Sequence, residues 1–115
     1  MSFRRAAKVD KNQKELVKVI RSIGALFLHT HQLKKFCDGI TIYRGRTIFT
    51  EFKDPVAAEF PKYFDLLTYE QKVEYIIKNH LTEDEKEFYN DVIKYGGTYS
   101  VMWNRESVLI ALRLT

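Results

Sequence analysis

The stretch from residue 38 to residue 53 constrains this chain most, because it reads as a β-hairpin whose register follows from its turn. Residues 38–43 (Asp-Gly-Ile-Thr-Ile-Tyr) and 46–52 (Arg-Thr-Ile-Phe-Thr-Glu-Phe) are rich in β-branched and aromatic side chains. Arg44-Gly45 between them reads as a two-residue turn. Such a loop sets Tyr43 opposite Arg46, and so Ile42 opposite Thr47, Ile40 opposite Phe49 and Asp38 opposite Glu51. Side chains alternate along a strand, so Asp38, Ile40, Ile42, Phe49, Glu51 and Lys53 share one face.

That face is apolar for most of its length, yet it ends in two opposed acids. Cross-strand neighbours stand about 4.5–5.5 Å apart at Cβ, where like charges weaken a sheet. Solvent, a shared proton or a cation would relieve the repulsion. A hard divalent ion bridged by the two carboxylates, with water completing its shell, suits these donors. Lys53, on the same side, would then hold or polarise an attacking water. An exposed ion-pair cluster at a strand end would leave the same pattern.

Asp38 followed by Glu51-Phe52-Lys53 resembles the core motif of the PD-(D/E)XK nucleases, with Cys37 where the usual proline stands. The likeness is to small phage and archaeal members: Holliday-junction resolvases and virus-type replication-repair (VRR-NUC) nucleases. It extends to Lys11-Asn12-Gln13-Lys14-Glu15-Leu16 through Gly24, which resembles the family's first helix, and to Leu81-Thr82 through Gly96-Gly97 and Val101, which resembles its helix–Gly-Gly–strand ending. Together these cover about three quarters of the chain. The resemblance implies an α/β fold, specifically an α+β mixed sheet with a restriction-endonuclease-like core of order α-β-β-β-α-α-β-α. It also implies magnesium or manganese at Asp38, Glu51 and the Phe52 carbonyl, with Lys53 orienting the nucleophile. In the resolvases a glutamate that helps the metal site stands where this chain has Gln13. An amide is a neutral ligand, so Gln13 is expected beside the site, as part of the catalytic set with Asp38, Glu51 and Lys53, while its role as a direct ligand is open.

At 115 residues the chain is expected to form a single domain with a real core. No apolar run approaches ~18 residues, so no membrane span is expected. The first residues, Met-Ser-Phe-Arg-Arg, do not resemble a signal peptide, and a lone cysteine, Cys37, forms no internal disulfide. A cytoplasmic location follows as the expectation, in the bacterial host if the chain is phage-encoded.

The net charge of +4 hides an asymmetry: residues 1–53 hold 12 Lys/Arg against 4 Asp/Glu, and residues 54–115 hold 7 against 11. The half with the paired acids is otherwise basic, as a polyanion-binding surface around a metal site would be. DNA is the expected partner. Its candidate contacts are Arg4, Arg5 and Lys8 in a basic arm (1–9), Lys11, Lys14 and Lys18 on the first helix, and His31, Lys34 and Lys35 in the loop before the hairpin. His29 and His31 have zinc-compatible spacing but no nearby sequence partners to complete four ligands.

In chain order, a helix is expected from an Asp10 N-cap to Ile23, with Gln13 placed to complete a capping box. A mostly buried strand over 25–30 should precede the hairpin. Residues 56–80 read as a helical insertion, apolar enough to pack on the core or to serve a homodimer interface. Thr68-Tyr69-Glu70-Gln71 and Thr82-Glu83-Asp84-Glu85 read as capping boxes opening two helices, the second ended by Gly96-Gly97. A strand over 98–103 and a short helix over 107–112 close the chain. Trp103 is expected to pack rather than stack on a base. The first helix should cover the face carrying Asp38 and Glu51.

Two functions compete: a metal-dependent DNA endonuclease acting on branched or structured DNA, and a catalytically inactive nucleic-acid-binding or assembly subunit that keeps the nuclease fold. On the first, replacing Arg4, Arg5 and Lys8 with alanine should weaken DNA binding and lower its salt slope by roughly one unit per lost phosphate contact. An unchanged slope in the triple variant would place the arm off the DNA.

Overall fold

The computed structural model describes residues 11–30 and 32–114. The basic arm with Arg4, Arg5 and Lys8, the Asp10 cap and His31 lie outside the described residues. The elements are α1 (Gln13–Ser22), β1 (Leu26–His29), β2 (Gly39–Tyr43), β3 (Arg46–Phe52), a 3-10 helix (Lys62–Leu66), α2 (Tyr69–Asn79), α3 (Glu83–Lys94), β4 (Thr98–Met102) and α4 (Arg105–Ala111). They form a mixed α/β fold around a four-stranded sheet of order β1-β2-β3-β4. The first three strands are antiparallel, and β4 runs parallel to β3.

The hairpin has the register expected from its turn. Arg44 and Gly45 both have positive φ (50° and 80°), the requirement of a type I′ turn that twists with its strands. Tyr43 faces Arg46, Ile42 faces Thr47 and Ile40 faces Phe49. The ladder ends at Gly39 and Thr50, and Asp38 stands just beyond it. Its backbone N–H still donates to the Thr50 carbonyl at 3.1 Å.

The first helix lies on the face opposite to the one expected. α1 and α4 bury Leu16, Val17, Ile20, Val108 and Leu112 against Phe27, Ile48, Phe52 and Met102, the face that does not carry the acids. On that face Thr41 and Thr50 are buried and satisfy each other, hydroxyl to hydroxyl at 2.8 Å. The acid-bearing face is covered by α3 and the insertion. Phe88 of α3 meets Phe49 edge to face, and Phe64, Ile76, Leu81, Val101 and Trp103 form a second core. The reversal has a simple cause: the hairpin is apolar on both faces, and Gly24, with φ 101°, returns the chain from α1 into the edge strand.

β1 also departs from expectation. It is an edge strand in which only Phe27 is buried, at 2% exposed, while Leu26 and Leu28 are 51% and 45% exposed. The N-cap of α1 is Asn12 and makes no side-chain cap, so Gln13 is not part of a capping box. Both expected boxes at Thr68–Gln71 and Thr82–Glu85 are present. The insertion is one 3-10 turn and α2. Its Phe64 and Ile76 pack inward, Tyr63 and Leu66 are exposed, and Trp103 is buried against Phe64 and Tyr69. Among the described residues no helix is long and apolar enough to cross a membrane.

Gly39 admits no side chain, because a Cβ there would stand 2.1 Å from the Phe27 ring and 2.7 Å from the Leu28 carbonyl. Gly39→Ala should therefore destabilise the fold by about 3 kcal/mol, the upper range for overpacking, read as a shift in the urea midpoint. A midpoint within experimental error of wild type would mean that Phe27 does not lie over the strand.

Candidate functional site

The acids meet where the hairpin opens. The Asp38 carboxylate accepts the Phe52 N–H through Oδ2 at 2.8 Å, which fixes its side chain across the strand end. Glu51, only 3% exposed, lies against it, near enough for each carboxyl to shift the titration of the other. Burial, then the charge of Asp38, then that of Glu85 push Glu51 far above the usual carboxylate range. Asp38 is raised as well, chiefly by burial, against the opposing hydrogen bonds from Glu51 and Phe52. Burial and mutual repulsion thus favour a neutral carboxyl in the pair, with Glu51 the more strongly raised. Glu51 Oε1 is buried and no protein donor reaches it.

Lys53, 15% exposed at the side chain, is engaged by Glu85. Its ammonium donates to Glu85 Oε1 at 2.9 Å, and the same oxygen accepts the Thr82 N–H at 2.8 Å. Burial alone would raise Glu85, but Lys53 and the Thr82 amide outweigh it and hold Glu85 below its ordinary value. Glu85 is also near enough to Glu51 to share a hydrogen bond with it. Tyr99 of β4 completes the surroundings. Its hydroxyl is buried without a partner and is held protonated chiefly by burial.

The frame comes from α1. The Asn12 amide donates to the backbone carbonyls of Lys53 at 3.0 Å and Trp103 at 3.1 Å, which joins the start of α1 to the ends of β3 and β4. Gln13, one residue on, is buried at 2% exposed. The Phe52 side chain is buried on the opposite face, so only its backbone takes part in the site. Lys11 is exposed just before α1, Lys14 and Lys18 are exposed on it, and Lys34 and Lys35 are exposed in the loop before β2. Cys37 is buried, with its thiol raised by burial and donating to the Gly39 carbonyl.

Sequence reasoning named Asp38, Glu51 and Lys53, and the structure brings them together. It missed Glu85 and Tyr99. Glu85 carried a signal that pointed elsewhere, since the third position of a capping box already accounts for a glutamate. No local signal marks Tyr99.

Chemically the cluster offers hard oxygen donors, one of them an orphaned oxygen on a buried acid, which suits a divalent cation in place of the proton. Among the described residues, no three Asp, Glu, His or Cys side chains are arranged as a ready metal-holding group. A cation here would draw on Asp38, Glu51 and water. Comparison of the chain with family models, with curated proteins and with solved structures returned no match.

A retained proton makes stability depend on pH. In the unfolded chain Glu51 titrates near 4.3. In the folded protein it stays protonated well above that, so folded molecules carry the extra proton in between. The stabilisation is complete below the unfolded value and is lost as pH rises toward the folded one, by at most about 1.4 kcal/mol per pH unit. Glu51→Gln should flatten the stability profile between about pH 5 and 8 and exceed wild type at the upper end. Denaturation curves with the same pH slope in both proteins would show that Glu51 holds no proton.

Proposed function

We propose that this chain is a divalent-cation-dependent DNA endonuclease of the PD-(D/E)XK type, acting on branched or structured DNA. The observation that carries the proposal is half-buried Asp38 set against buried Glu51, with Lys53 nearby, at the end of an antiparallel hairpin. A site with no catalytic or binding duty has no use for two carboxyls that must share a proton. The mixed sheet, with helices before the first strand and between β3 and β4, is compatible with a restriction-endonuclease-like core.

Asp38 and Glu51 would hold magnesium or manganese, with the Phe52 carbonyl as the further donor that the family likeness implies. When bound, the ion supplies a water of lowered pKa and charge neutralisation at the phosphate. Glu51 must lose its proton to bind, so affinity should rise with pH. Lys53 supplies a fixed positive charge for the scissile phosphate, and Glu85 holds its ammonium in place. The Asn12 amide braces the backbone at Lys53. Exposed lysines of α1 and of the loop before β2 supply sequence-independent phosphate contacts.

The competing function is an inactive nucleic-acid-binding or assembly subunit, favoured by the lack of a ready three-ligand group among the described residues and by the engagement of Lys53 with Glu85. A panel of junction, flap, duplex and single-stranded DNA, each with magnesium, manganese or EDTA, separates the two. Cleavage is expected only with metal. It should fall by roughly a hundredfold or more in Asp38→Asn, Glu51→Gln and Lys53→Ala, the scale seen when one transition-state contact is removed. Undiminished cleavage in Glu51→Gln or in EDTA would overturn the mechanism, and binding without any cleavage would leave the inactive subunit.

A further inference from the structure

Beside the acids but around the end of the sheet, α1 and β1 leave a cleft of about 610 Å³ between them. Its floor is Val17 and Gln13, both buried. Its rim is cationic: Lys14, Lys18 and Arg21 follow one another along α1 at intervals of four and three residues, on one face of the helix. His29 of β1 stands across from them, its ring edge-on to Phe27 at 5.0 Å. Arg21 donates to the Phe27 carbonyl at 3.2 Å, which spans the cleft at one end and fixes the guanidinium, with further N–H groups left to donate. No carboxylate of the described residues lines it.

We infer that this cleft binds an unpaired stretch of nucleic acid strand, base toward the Val17–Gln13 floor and phosphates on the Lys14–Lys18–Arg21 rim. The volume is that of a small-molecule site, and a floor of one apolar side chain and one amide under a cationic rim matches a nucleotide, whose base has flat apolar faces and hydrogen-bonding edges and whose phosphate is anionic. A duplex keeps its bases stacked inside and offers only phosphates, so it would use the rim and leave the floor empty.

Position points the same way. His29 pairs with Gly39, the residue after Asp38, and Gln13 follows Asn12, whose amide holds the Lys53 carbonyl. The Gln13–His29 end of the cleft therefore opens at the same end of the sheet as the acids. The acids lie on one face of the sheet and α1 on the other. A strand engaged at both must turn around that end. DNA duplex resists bending on this scale, with a persistence length near 50 nm, whereas a single strand turns freely. From Lys14 to Arg21 the cleft offers about 10 Å of helix, on the scale of a few nucleotides. This inference rests on the proposed nuclease site only in naming which strand the cleft serves, one with an unpaired segment next to the scissile phosphate.

The test is fluorescence anisotropy of the full chain in EDTA, with a labelled single-stranded oligonucleotide, a blunt duplex and a flapped duplex. Single-stranded and flapped DNA should bind at least tenfold tighter than duplex. Ser22→Trp, which fills the cleft without changing charge, should remove most of that preference and leave duplex affinity within about twofold. Lys18→Glu, which reverses a rim charge, should weaken both forms and single-stranded DNA by the larger factor. A nucleoside monophosphate should compete weakly and inorganic phosphate less, in keeping with capture of a strand and not of a free nucleotide or anion. Equal losses on duplex and single strand, or no loss in either variant with thermal melting unchanged, would overturn the inference. Cleavage with magnesium, read separately, keeps the two ideas apart. A protein that prefers single strands through Lys18 but cuts nothing retains the cleft and loses the nuclease, and the converse retains only the nuclease.

Discussion

The site and its frame depend on a carboxyl group that cannot reach water. Glu51 is carried inward by a β-strand, opposite an acid pinned by the backbone N–H of Phe52, and must share a proton or accept a cation. Lys53 stands two residues along, where it is neutralised by Glu85. Burying like charges costs stability unless something compensates, and no structural need of the hairpin asks for them here. A threonine at either position would serve the sheet better.

Much of this was legible in the sequence because it is local. The Arg44-Gly45 turn dictates the register, and the register dictates which side chains meet. The two capping boxes mark the starts of α2 and α3 by their own grammar. What could not be read locally was which helix covers which face. The hairpin offers Ile48 and Phe52 on one side and Ile40 and Phe49 on the other, so alternation identifies two buried faces without assigning either to α1. The apolar letters of β1 likewise suggested burial, but an edge strand keeps exposed leucines. Glu85 was hidden by its own success as a cap.

The inversion of the helices changes what the basic residues mean. With α1 on the face away from the acids, Lys14 and Lys18 do not overlook the site. They line a separate cleft that meets it only at the end of the sheet. The basic half of the chain is thus divided between two surfaces, and charge asymmetry in the sequence alone does not separate them.

The Asn12 amide holds carbonyls that lie 41 and 91 residues further along the chain. The Lys53–Glu85 pair closes a gap of 32 residues. The hairpin, by contrast, folds within itself. Contacts so distant in sequence form late, after the loops between them have closed. A chain still emerging from the ribosome therefore carries its acids long before it carries their frame. Whatever the site does, its frame is complete only when the residues from Thr82 to Trp103 have been made and have docked on the hairpin.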